Sequence, residues 1–517
     1  MHSADPRRST IRSLSTAVAL ALAALLSAGG SVAATAAPLP TPATFRVDCK
    51  AAVKGDGVTT PWNSLSAVTQ HGPFTPGDRV LLRRGTTCKG MVAPSGSGTS
   101  ARPITLGAYG SGARPIIAGN GTRNATAAVL LSNVQYWTVS GLRITNRTTG
   151  KSTKNYRSGL MFWNTTKGRL RGLKAENLQI DNVTSNLSYT GGNPREWGGL
   201  VALTSGAPGS GFDDMVLRAN TISKVGRTGI AVINHNFSKS PDRNVRISSN
   251  RLADIRGDGI LLFGARKAQI DHNVVARASS LFPCAQCEKI SRYTANAAIW
   301  PAQSSDVLVT RNEVYGTRVA DGDGEAFDID ASAKNVVVEY NYAHDNDGGA
   351  VLFCASVNAV VRFNIFENNK KSTFAFIGSL PAKNSTIYNN TIYQSKKSDA
   401  GNVRYFNGAK GKGIRFFNNV VYNYGRANWT WPTKVSAHHN TVIGVHKAGE
   451  PRGLGWSWRN PGLKKPGSGR IGFGSLSGYR VAKHVTVQRG GAIPKSVTRD
   501  FFGKKINPKK PPRGAAG

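Results

Sequence analysis

Nine short apolar runs end in an asparagine followed by another apolar pair, and this repetition limits the fold more than any single motif. The runs are VLRANTI, RISSNRL, QIDHNVV, LVTRNEV, VVEYNYA, VVRFNIF, TIYNNTI, RFFNNVV and SAHHNTV. Their asparagines are Asn220, Asn250, Asn273, Asn312, Asn341, Asn364, Asn390, Asn419 and Asn440, at spacings of 30, 23, 39, 29, 23, 26, 29 and 21. A fixed local motif at variable spacing describes coils of constant cross-section that carry loops of different length. Asparagine tolerates left-handed turn geometry, and its amide can bond to the equivalent amide one coil away, so the nine are expected to stack as a ladder of turn residues. The alternation before each asparagine supplies strands with one inward and one outward face, and 58 glycines supply corners.

The repeats resemble the right-handed parallel β-helix of the pectate-lyase-like superfamily over about residues 100 to 445. The resemblance implies an all-β parallel solenoid in a secreted bacterial carbohydrate-active protein. It does not select a chemistry, because that superfamily holds lyases, hydrolases, epimerases, phage tailspikes and adhesins. The expected organisation is an export signal at 1–36, an N-terminal cap region at 37–100, the β-helix at 101–445 and a basic tail at 446–517. PWNSLSAVTQHG reads as a short amphipathic helix that closes the open end of the solenoid. DFFGKKINPKKPPRGAAG resembles the closing piece of secreted bacterial β-helix proteins, and is expected to pack along the coil with a solvated end.

Arg7, Arg8 and Arg12 precede an apolar run from Thr16 to Ala28, too short to span a bilayer, so the chain reads as exported by the Sec or twin-arginine route, with no transmembrane anchor. Lys and Arg number 67 against 28 Asp and Glu; without the signal the balance is (67 − 3) − (28 − 1) = +37. Residues 370–517 carry 27 Lys and Arg against Asp399, Glu450 and Asp500, or 27 − 3 = +24. Such a surface steers toward polyanions, which outside a cell are chiefly acidic polysaccharides; a monomer without a specific nucleic-acid partner is expected. Five cysteines are too few to frame the fold. Cys49 is expected to pair with Cys88, and Cys284 with Cys287 in CAQC, leaving Cys354.

Against this basic background, residues 321–347 hold eight acids with one lysine, Lys334. Crowding carboxylates costs repulsion unless a cation, shared protons or solvent relieves it, which marks the cluster for chemistry. Aligning the strands GIAVI, GILLF, AIWPA, AFDID and AVLFC puts Ile230, Val232, Ile260, Leu262, Ile299, Pro301, Phe327, Ile329, Val351 and Phe353 on the core side. Leu261, Trp300, Asp328 and Leu352 then form one outward column, and Phe263, Ala302, Asp330 and Cys354 the next. Asp328 and Asp330 share a face with backbone positions ~6.7 Å apart. Carboxylates roughly 6.5 to 9.5 Å apart suit an inverting glycoside hydrolase, and an exposed Trp300 suits a pyranose face.

Asp328, Asp330, Glu325 and Asp347 are therefore the candidate catalytic group, with Trp300, Arg292, Tyr293, Arg318, His235 and His344 as candidate substrate contacts. The offset of 24 between coils stacks Asp321 on Asp345 and Asp323 on Asp347, so Asp321, Asp323 and Asp345 are candidate ligands for Ca²⁺. GEAFDIDASAKNVVVEYNYAHDNDGGAVLF also resembles the calcium-dependent pectate lyases whose base is lysine, with Glu325 and Asp347 at two of the acidic places. Gly348 and Val351 fill the other acidic places, and Ala375 stands near that of the lysine. The expectation is a secreted glycan-cleaving enzyme on a polysaccharide of acidic type, a hydrolase needing no cofactor ahead of a calcium-assisted lyase. The alternative is a polyanion-binding β-helix without catalysis.

Overall fold

The computed structural model describes residues 41–517 apart from 122–125, 149–155, 188–192, 207, 281–294, 320–322, 378–380, 398–403, 408–410, 426 and 432–434. Three long sheets of 14, 13 and 10 strands run along the molecule, and strands of successive coils pair in parallel. One coil shows the pattern: Val337–Glu339 lies in the 14-stranded sheet, Tyr342–His344 in the 13-stranded sheet and Gly349–Cys354 in the 10-stranded sheet. The next coil begins at Val360–Arg362, in register with Val337–Glu339.

The asparagine ladder is continuous from Asn220 to Asn440. Asn341 is typical: its Nδ2 donates to Asn364 Oδ1 at 3.0 Å and to Val309 O at 2.9 Å, while its backbone N–H donates to the same Asn364 Oδ1 at 2.9 Å. The ladder amides are almost fully buried, so these bonds satisfy groups that water cannot reach. The left-handed residue, however, is the one before each asparagine: Ala219, Ser249, His272, Arg311, Tyr340, Phe363, Asn389, Asn418 and His439 all have φ between 51° and 57°. The bend sits one residue early because the asparagine must point its amide inward along the stack. Residues of many types then hold a conformation that ordinarily favours glycine, because the ladder bonds over-determine the turn.

The core side of the 10-stranded sheet is as the alignment expects, with Ile230, Ile260, Ile299, Phe327 and Val351 in the main apolar cluster. The outward side departs from it. Met161, Val201, Ala231, Leu261 and Trp300 form a second buried cluster, flanked by Trp163 and Trp197. A single-turn helix, Pro194–Glu196, leads into Trp197 and packs on the strands Gly198–Thr204 and Thr228–Asn234. This face is therefore covered along much of its length.

At the N-terminal end, helix Leu65–Gln70 turns Leu65, Ala67 and Val68 inward beside Phe45 and Trp62, with Ser64 as its cap. Coil stacking already begins at Thr44–Val47, which pairs with Arg79–Arg83, itself paired with Ile104–Tyr109. The helix is thus an excursion between coils, and the solenoid starts before residue 101. Cys49 and Cys88 form a disulfide in this region; Cys284 and Cys287 lie outside the described residues.

The C-terminal tail packs on the solenoid through Leu476, Tyr479 and Phe501 against Tyr342 and Ile365, and through Ile493 and Val497 against Phe363 and Tyr388. Its end is not solvated, contrary to expectation. Ala515 and Ala516 are buried, and Ala515 N–H donates to Thr391 Oγ1 at 2.8 Å. The small residues of RGAAG allow this close approach, which a lysine-rich reading of the segment hides.

Candidate active site

The strand Glu325–Ile329 turns Phe327 and Ile329 into the core and leaves Asp328 on the outer face. The pairing of Ile299 with Phe327 places Trp300 beside Asp328 on one side, and Leu352 pairs with Asp328 on the other. Ala302 bridges to Asp330. The register deduced from the aligned strands holds. The burial does not: Asp328 is 1% exposed and Trp300 9%. Trp300 is no open platform, because the Arg195 guanidinium sits 4.8 Å above its ring.

Arg195 is anchored by a 2.7 Å bond from Nη2 to Ala295 O and by Asp258 at 3.4 Å. Asp258 also holds the fully buried Arg227 at 2.9 Å and accepts the Ala297 N–H at 3.2 Å. Backbone bonds from Gly259 to Ala297 and from Ala298 to Glu325 put Asp258 and Glu325 in one column, two coils apart. Asp258, Arg227 and Arg195 are site residues that sequence reasoning missed. A signal existed, since Asp258 stands just before GILLF as Glu325 stands just before AFDID.

Burial dominates the electrostatics. It pushes the Asp328 carboxyl far above the usual carboxylate range, and the neighbouring charges of Asp330, Asp323 and Glu325 push the same way. Burial likewise pushes Glu325 up to about 8, with Asp323 adding and Lys371 opposing. Asp323 is raised too, again mainly by burial. Among the described residues, Asp328 Oδ1, Glu325 Oε2 and Trp300 Nε1 are buried without a hydrogen-bond partner. Asp330 is half-buried at the end of the strand, where its Oδ1 accepts the Ala331 N–H. The Cys354 thiol, pushed up to about 12 chiefly by burial, also hydrogen-bonds to Asp330. The arrangement offers buried carboxyls whose surroundings favour the protonated form beside the half-buried Asp330.

Other expected residues lie elsewhere. Asp347 pairs with Lys370 at 2.9 Å and faces Arg318 at 3.8 Å. Its backbone N–H donates to Thr317 O, the parallel-strand pattern that sets Asp347 opposite Arg318 and not Asp323. Asp345 follows His344, which is in register with Tyr315, so Asp345 stands over Gly316. The cause is a change of offset, from 29 between Tyr315 and His344 to 24 between Glu325 and Gly349, absorbed in the intervening loop. Among the described residues no three His, Cys, Asp or Glu side chains are arranged to hold a metal ion.

His344 is buried in the 13-stranded sheet, between the rings of Tyr315 at 5.0 Å and Tyr342 at 4.3 Å, bonded to Asp345 and Glu313. It is a structural histidine, away from Asp328. His235 bonds Glu196 at 2.9 Å, beside the Arg195 turn, and that bond raises its pKa. Arg292, Tyr293 and Asp321 lie outside the described residues.

In sequence, the family described as right-handed beta helix region matches residues 209–392 and 292–442. No curated protein matches the chain. Among solved structures, the GH136 lacto-N-biosidase from Eubacterium ramulus is similar with a TM-score of 0.62, at 23% identity over 78% of this chain and 68% of that one. The PL6 family alginate lyase AlyGC is similar with a TM-score of 0.54, at 15% identity over 86% of this chain and 57% of that one. Together with the parallel coils, these likenesses establish the fold: the chain is a right-handed parallel β-helix.

Proposed function

We propose that this right-handed parallel β-helix is a secreted glycan-cleaving enzyme, a two-carboxylate glycoside hydrolase acting at Asp328 and Asp330. The observation that carries the reading is Asp328 itself: an outward-facing carboxyl, buried, without a partner on Oδ1 among the described residues, and two residues before Asp330, which follows the strand's end. As a neutral acid, Asp328 gives its proton to the glycosidic oxygen as the bond to the anomeric carbon breaks. Asp330, which reaches solvent, takes a proton from the water that attacks that carbon from the opposite side. Glu325 is a second neutral carboxyl in reach of the same charges, and Arg195 fixes Trp300 as one wall.

The two fold neighbours are named for glycan cleavage by different chemistries, so they support the broad class and do not choose within it. Elimination, assisted by calcium, is the competing reading. It is weakened by Ala375, which pairs with Leu352 in the Asp328 column, where the lyase resemblance would call for a lysine base. The test is incubation with a panel of acidic and neutral polysaccharides, with and without Ca²⁺. Hydrolysis releases reducing ends without unsaturated product. Ultraviolet absorbance from unsaturated uronates would establish elimination instead, and release of neither, with binding retained, would make the protein a glycan binder.

A further inference from the structure

The C-terminal tail carries a concave site of its own. A cavity of about 390 Å³ is lined by Lys464, Arg480, Lys483, His484 and Lys504, a size within the range of small-molecule sites. Its walls are tied together: Leu463 bridges Val481, Lys464 N–H donates to Arg480 O at 2.9 Å, and Ala482 N–H donates to Gly462 O at 2.8 Å. The Arg480 guanidinium is laid on the Phe502 ring at 4.1 Å, which fixes its plane.

The one carboxylate side chain in the lining, Asp500, is turned to another task. It is 1% exposed, and its oxygens accept the backbone N–H groups of Phe502 at 2.9 Å, Lys504 at 2.8 Å and Gly517 at 2.9 Å. It closes a turn and forms no ion pair with the cations around it. Three lysines and an arginine therefore converge on one cavity, while Val481, Val485 and Phe502 give the same cavity an apolar side. This combination suits a ring with a C–H face and an anionic substituent.

We propose that this cavity binds one acidic sugar unit of a polysaccharide, its carboxylate or sulfate held by Arg480, Lys483 and Lys504 and its ring laid on the valines and Phe502. The inference rests on the reading of the protein as glycan-acting, and adds to it that the tail retains an anionic chain while the acidic face cleaves.

The experiment is calorimetric binding of oligogalacturonate, heparin oligosaccharides and neutral dextran oligosaccharides to the full chain carrying Asp330→Asn. The pocket variant adds Arg480→Gln, Lys483→Gln and Lys504→Gln; the control adds Lys495→Gln, Lys505→Gln and Lys509→Gln, which are exposed and outside the cavity. The pocket variant is expected to lose about tenfold or more in affinity for acidic oligosaccharides and the control about twofold or less, with unchanged melting temperatures. Preference for uronate over heparin, or the reverse, identifies the anionic group. Equal losses in both variants, or dextran bound as tightly as the acidic chains, would overturn the proposal. Turnover by the parent chain is read separately, so a failed pocket leaves the hydrolase reading standing, and absent turnover leaves the pocket testable.

Discussion

The Asp258 carboxylate lies 2.9 Å from the Arg227 guanidinium, and neither side chain is exposed. Arg195 joins the pair at 3.4 Å. Removing one partner of a buried ion pair leaves the other charge uncompensated, so Asp258→Ala is expected to cost about 3–5 kcal/mol in chemical denaturation. Arg227→Met with Asp258→Leu should recover much of that loss. A single variant within about 1 kcal/mol of the parent would mean that water or another anion already compensates Arg227.

Neighbouring residues of one turn separate the ladder from the bend. Ser249 is exposed with φ 55°, whereas Asn250 is buried, and its Nδ2 reaches Asn273 Oδ1 and Leu217 O, both at 2.9 Å. Ser249→Gly removes a side chain from a left-handed conformation and should be neutral or stabilising by up to about 1 kcal/mol. Asn250→Gly orphans several buried groups and should cost about 3 kcal/mol or more. Equal effects at the two positions would show that the ladder amide is not what holds the coil.

At the proposed site, Asp328→Asn and Asp330→Asn keep shape while removing acid or base. Turnover on the true substrate is expected to fall by ~10² to 10⁴, with little change in melting temperature. For Asp328 the amide replaces a carboxyl that is already neutral, so the folded protein has little reason to notice. Near-normal turnover of Asp330→Asn would remove the hydrolase assignment.

Glu325 makes a pH prediction whose sign is fixed by its environment. Its folded pKa is raised from 4.5 to about 8, so the folded state binds the proton more tightly than the unfolded chain. Its contribution to stability is fully present below pH 4.5 and is lost as pH rises toward about 8. Melting temperature followed over roughly pH 5 to 9 should fall less steeply in Glu325→Gln than in the parent. Parallel slopes would place the proton on another group.

The sequence made the coil legible because strand alternation and the ladder are local: Phe327 and Ile329 had to face inward, so Asp328 had to face out. What covers that outward face was not legible. Arg195 comes from a turn 133 residues before Asp328 in the chain (328 − 195), and no periodicity announces that it lies on Trp300. The expected pairing of Asp323 with Asp347 failed because one offset was carried through a loop where the coil length changes. His344 was read as a candidate substrate contact because it lies among acidic residues in sequence, Asp345 and Asp347. Its place between two tyrosine rings is set by Tyr342 on its own strand and by Tyr315 one coil before.

The tail is fastened by a buried bond that the sequence does not advertise. Tyr479 O–H donates to Glu367 Oε2 at 2.8 Å, and Tyr342 O–H reaches the same oxygen at 3.2 Å. Burial raises the Glu367 pKa, while the two hydroxyl donors favour its charged form. Tyr479→Phe keeps the ring against Ile365 and Leu476 but deletes one donor to a buried carboxyl. The expected cost is about 1–3 kcal/mol, expressed as opening of the tail and not of the coils. Hydrogen exchange should therefore quicken in residues 463–517 while the ladder asparagines from Asn220 to Asn312 keep parental protection. Uniform loss of protection along the whole solenoid would mean that the tail and the coil unfold as one unit.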